Sequence, residues 1–80
     1  KDYLPVPAHD ALRDGCNVTW LYFKSEATAN AAAVVAKHNA NLAFSKGFDF
    51  GYQCPGAVRK MWGCTGDLAP YNGMWEVCFP

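Results

Sequence analysis

From Ser25 to Gly47 the chain reads SEATANAAAVVAKHNANLAFSKG, a stretch with no proline and no interior glycine in which alanine, the best helix former, recurs throughout. It predicts one helix over residues 25–46, more than a quarter of an 80-residue chain. Ser25 suits the N-cap, Glu26 faces the positive end of the helix dipole, and Gly47 accepts the left-handed conformation that stops a helix. At about 100° per residue, Ala27, Ala31, Val34, Val35, His38 and Leu42 share one arc, which is read as the core side. Ala29, Ala33, Ala36, Ala40 and Ala43, flanked by Phe44, form a second stripe on the far side. That stripe has two readings. It is either helix propensity alone, or a methyl surface that lets another backbone approach closely and so binds a partner.

A helix of this length must lie on something, and the rest of the text supplies strands. Residues 16–23, CNVTWLYF, are rich in β-branched and aromatic side chains and read as a central strand. After the helix, KGFDFGYQC alternates Phe48, Phe50, Tyr52 and Cys54 against Asp49, Gly51 and Gln53. It reads as a second strand, returned parallel to the first by a right-handed crossover, with its aromatic set under the helix. Cys54-Pro55-Gly56 is a turn, AVRKMWGC a more exposed third strand, Asn72-Gly73 another turn, and MWEVCF the last strand. The fold class is α+β, a two-layer αβ-sandwich in β-α-β-β-β order with one helix on a small mixed sheet. Residues 1–15, with two prolines and no sustained period, read as a flexible arm or the remnant of a pro-segment, and residues 16–80 as the single domain.

A chain this short buries only about 60 to 65% of its unfolded surface, so a core alone is marginal. The four cysteines are the expected supplement, since their number is even and none forms a C-x-x-C pair. Of three possible pairings, Cys16–Cys78 is favoured if the last strand runs antiparallel beside the first, leaving Cys54–Cys64, although an extended hairpin would separate that second pair; Cys16, at a loop edge, is also placed to bond to another protein. Disulfides imply an oxidising compartment, and the chain reads as a mature secreted product. Formal net charge is zero, which disfavours nucleic-acid and anionic-membrane partners, and no apolar run reaches membrane-spanning length.

The search for chemistry returns no catalytic group, metal site, cofactor or small-molecule substrate. His38 reads as a core histidine, with pH sensing as the sharper alternative. His9 reads as solvated, and Glu26, Asp49 and Glu76 as surface carboxylates. Ser25 is a cap, Ser45 lies in a last helical turn, and no G-x-S-x-G elbow occurs. Val58-Arg59-Lys60-Met61-Trp62 mixes cations with a ring but fits a protected edge strand, and of Trp20, Trp62 and Trp75 at least two fit core packing better than a sugar platform. Asn17-Val18-Thr19 is an N-glycosylation acceptor tripeptide. His38, Glu76 and Arg59 are the one trio an enzyme reading could use.

The GFDF strand after a helix resembles the small guanyl-specific fungal ribonucleases and the ribonuclease-like effectors of mildews, yet the glutamate and late histidine those enzymes need are missing from YQCPGAVRKMWG and beyond. A wider likeness, carried by SEATANAAAVVAKHNANLAF, GFDFGYQCPG and WEVCF, is to the cysteine-stapled αβ-sandwich effectors of plant-pathogenic fungi. Among these it resembles the companion-effector group of the secreted-in-xylem proteins of vascular-wilt fungi. The resemblance implies a non-enzymatic virulence protein that pairs with a second, β-sandwich effector or a host protein in the apoplast or xylem, with later entry into host cells left open.

Overall fold

The computed structural model describes residues 2–80; Lys1 of the expected arm lies outside them. Its elements are β1 (Ala11–Gly15), β2 (Val18–Phe23), α1 (Glu26–Ser45), β3 (Val58–Lys60), a 3₁₀ helix (Gly66–Tyr71) and β4 (Trp75–Phe79). The four strands form one sheet in the order β1-β2-β4-β3, every neighbouring pair antiparallel, with α1 packed on one face. β2 and β4 lie side by side, with Leu21 opposite Val77 at the centre of the pair.

Three expectations are corrected. First, residues 11–15 belong to the domain. They pair with β2 from Ala11↔Tyr22 to Gly15↔Val18, and Cys16 and Asn17 form the tight turn between them, Asn17 taking φ 62 in the left-handed region that Asn tolerates. The preceding residues are also held. The buried Asn39 carboxamide accepts the Leu4 N–H at 2.8 Å and donates to the Leu4 carbonyl at 3.1 Å, so the arm's backbone is clipped to the helix.

Second, residues 48–54 are not a strand, and no parallel pair exists among the described residues. Gly47, at φ 96, closes α1 with paired bonds from Gly47 N to Phe44 O and from Phe48 N to Ala43 O, which reverses the chain. Asp49 then accepts the Gly51 N–H on Oδ1 at 2.9 Å, and Gln53 N–H bonds the Phe50 carbonyl. Two local turns therefore use backbone groups that a strand would have offered to a neighbour. Cys54-Pro55-Gly56-Ala57 does form the expected turn, closed by Ala57 N to Cys54 O with Gly56 at φ 93.

Third, the helix is rotated. Ser25 caps it as expected, its Oγ accepting the Thr28 N–H at 3.1 Å. The buried positions, however, are Ala29, Ala32, Ala33, Ala36, Asn39 and Ala43, with Ala40 half-buried. The stripe read as a partner surface is the face on the sheet, where it meets Leu21, Phe23, Val77 and Phe79, with Val35, Val58 and Trp75 at the margins. Of that proposed surface only Phe44 is exposed, at 70%. Ala27, Ala31, Val34 and His38, assigned to the core, face outward. The reason is volume. The sheet presents bulky side chains, and a helix can seat against them at interior density only through small ones.

Ala36→Glu places an unpaired charge at a fully buried position and is expected to cost about 3 kcal/mol or more. Ala31→Glu, on the exposed side, should stay within about 0.5 kcal/mol of the wild type. Denaturant melts followed by helical circular dichroism distinguish them, and equal midpoints would mean that the helix is seated the other way round.

Candidate functional site

On the face away from α1, alternation along the strands aligns Arg13 (β1), Tyr22 (β2), Glu76 (β4) and Arg59 (β3). Glu76, expected at the surface, has a side chain only 7% exposed and is bonded to all three others. Its Oε2 accepts from Arg13 Nη2 at 2.9 Å and from the Tyr22 hydroxyl at 2.8 Å, while Oε1 accepts from Arg59 Nη2 at 2.9 Å. Arg13 Nε also donates to the Tyr22 oxygen at 3.0 Å, and its guanidinium lies 4.3 Å from the centre of the Trp20 ring. Tyr71, at the end of the 3₁₀ helix, stacks on Tyr22 with ring centres 3.9 Å apart. Burial, reinforced by the neighbouring Glu76, pushes the Tyr22 phenol up from 10.0 to about 12. One carboxylate thus joins all four strands, and both its oxygens are committed. This network holds the sheet together and leaves no idle base.

The opposite side carries an apolar opening. Where the arm, the C-terminal half of α1, the 48–50 loop and the ends of β2 and β4 converge, they enclose a cleft of about 470 Å³. Tyr3, Val6, Leu21, Phe48, Phe50, Phe79 and Pro80 make its walls largely apolar, and Asn17, Thr19 and Asn39 supply the polar edge. Asn39 spends its amide on Leu4, and Thr19 donates to Asp14 Oδ1 at 3.1 Å. Phe48 is 57% exposed at the rim, close in sequence to exposed Phe44. The sequence reading assigned Phe48 and Phe50 to a core layer. The signal it passed over was the glycine spacing, Gly47 and Gly51, which frees these rings from a ladder.

The remaining predicted residues are scattered. His38 is exposed on α1, its Nε2 3.1 Å from the Asp2 carbonyl oxygen, whereas Glu76 and Arg59 lie on the far face of the sheet. The trio an enzyme would need is not assembled. The four cysteines are free thiols, and neither expected disulfide is formed. Cys54 shares a pocket with Cys78, beside the bond of 2.8 Å from Gly56 N–H to the Cys78 carbonyl. Cys64 is fastened instead by Asn72, which accepts its N–H and donates to its carbonyl, next to the Met61–Met74 entry to β4. Cys16 is exposed in the hairpin turn, and a glycan on the adjacent Asn17 would stand at the cleft mouth. Among the described residues no cluster of three or more His, Cys, Asp or Glu side chains is placed to hold a metal ion, and no helix is long and apolar enough to cross a membrane.

Glu76→Ala strands two guanidinium groups and a buried phenol and is expected to cost about 3 kcal/mol or more. Arg59→Ala, at a side chain 65% exposed, should cost under about 1 kcal/mol, with Arg13→Ala between them; urea midpoints of the three variants check the order. Tyr22 stays protonated in the fold above the pH at which an unfolded tyrosine ionises. The stability this contributes is intact below pH 10.0 and drains away as pH rises towards about 12. Urea melts across that window should show the decline in the wild type and lose this component in Tyr22→Phe; parallel slopes would refute the assignment. No known protein family, curated protein or solved structure matches the chain.

Proposed function

We propose that this chain is a secreted binding module of the fungal-effector kind, acting by docking to another protein rather than by turnover. The carrying observation is the 470 Å³ apolar cleft with Phe48 exposed on its rim. Apolar rings left facing water beside a concavity are costly to maintain in a single folded chain and favourable to cover. Asn39 and Thr19 on the cleft edge are already bonded within the chain, which suits recognition of an apolar segment better than chemistry on a polar substrate. A zero net charge fits a protein partner more than a nucleic acid or an anionic membrane. The resemblance to companion effectors suggests the class of partner, a second secreted effector of β-sandwich type or a host protein of the apoplast or xylem. Exposed Cys16, next in the chain to the cleft-lining Asn17, is positioned to add a covalent link to that contact. The alternative, a toxin or ribonuclease-like enzyme, draws nothing from a geometry that puts His38 and Glu76 on opposite sides of the sheet.

The test is capture without reductant from fungal culture filtrate or host xylem sap, using the immobilised chain as wild type, Phe48→Asp and Arg59→Ala. One protein should be retained in near-equal molar amount by the wild type and Arg59→Ala, and Phe48→Asp should lose about tenfold or more of it, since a charge at an apolar contact costs at least about 1.4 kcal/mol. Equal retention by Phe48→Asp, or RNA cleavage that disappears with His38→Ala, would overturn the reading.

A further inference from the structure

The turn at residues 54–57 is docked on β4 at one residue. Gly56 N–H donates to the Cys78 carbonyl at 2.8 Å, and Cys78 N–H returns a longer bond of 3.4 Å to the Ala57 carbonyl. Cys78 pairs with Trp20 in the sheet, so its side chain is on the face away from α1, where Cys54, Cys78, Trp20 and Arg13 line one shallow pocket. The docked turn thus brings Cys54 and Cys78 into one pocket. The pair is unequal. Cys54 is exposed, whereas Cys78 is buried, and burial together with the nearby Glu76 carboxylate pushes its thiol up.

We propose that Cys54 and Cys78 are a dithiol pair that closes into an intramolecular disulfide, bonding the 54–57 turn to β4, on exposure to a low-molecular-weight disulfide such as oxidised glutathione. The thiolate of exposed Cys54 attacks one sulfur of the oxidant, releasing one small thiol and leaving a mixed disulfide on Cys54. Cys78 then gives up its proton, attacks the Cys54 sulfur and expels the second small thiol. Two protein thiols are oxidised to one disulfide, the oxidant disulfide is reduced to two thiols, and the two protons end on them. The order follows from access, because only Cys54 is open to an oxidant in solution. Neither Cys16, in the β1–β2 turn, nor Cys64, fastened by Asn72, shares this pocket.

The experiment equilibrates the reduced, folded chain with oxidised and reduced glutathione, alkylates the remaining thiols, and digests with trypsin plus a glutamate-specific protease. Cleavage after Lys46, Arg59, Lys60 and Glu76 places Cys54, Cys64 and Cys78 on separate peptides. The expected product joins the Cys54 and Cys78 peptides, with Cys16 and Cys64 alkylated or carrying glutathione. Oxidation should raise the thermal midpoint by about 15 °C in the wild type and in a Cys16→Ser, Cys64→Ser double variant, and not in Cys54→Ser. Cys78 joined to Cys16 or Cys64, or Cys54 and Cys78 both recovered unlinked at the most oxidising ratio, would overturn the proposal. The bond requires no protein partner, so this outcome is independent of the docking test.

Discussion

Everything in this fold is arranged around one contact, the alanine face of α1 against the large side chains of β2 and β4. Ala29, Ala32, Ala33 and Ala36 contribute little volume, so the helix axis settles close to Leu21, Phe23, Val77 and Phe79, and those four are almost completely withdrawn from water. In so short a chain the core is small, and close approach is the available means of filling it. The seating also determines what is left over. The arm, clipped by Asn39, and the 48–50 loop do not close the interlayer space at the C-terminal half of the helix, and the apolar cleft is that unfilled remainder.

The second organising element is electrostatic and lies on the other face. Glu76 accepts a hydrogen bond from each of the other three strands: Arg13 from β1, Tyr22 from β2 and Arg59 from β3. A carboxylate sunk this far is tolerable only because its oxygens are fully bonded and two cations stand beside it. Its contribution is register rather than energy, since a slip of one residue would turn Glu76 into the helix layer and leave both arginines without it. The two faces therefore divide the labour, with one side setting distance by volume and the other setting alignment by charge.

Much of the local structure was legible because its causes are local. The cap at Ser25, the stop at Gly47 and the Pro-Gly turn follow from dihedral preferences within a few residues. Residues 48–54 misled for the same kind of reason in reverse: alternating aromatics imitate a strand, but Asp49, Gly47 and Gly51 offered the backbone nearer hydrogen bonds. Of the candidate site, Phe48 and Phe50 were visible as residues but not as cleft walls. Glu76 was hidden because burial of a charge depends on partners more than ten residues away.

By itself the sequence determined that there is one long helix, where it begins and ends, and that a small sheet must accompany it, because propensity and periodicity are properties of adjacent residues. Only the tertiary structure decided which of two apolar stripes faces that sheet, since hydrophobic periodicity ranks polarity while seating depends on the size of side chains contributed from elsewhere. It alone brought Cys54 to Cys78 and Glu76 to two arginines, because distance through space is set by strand order, and strand order is not written in any single segment.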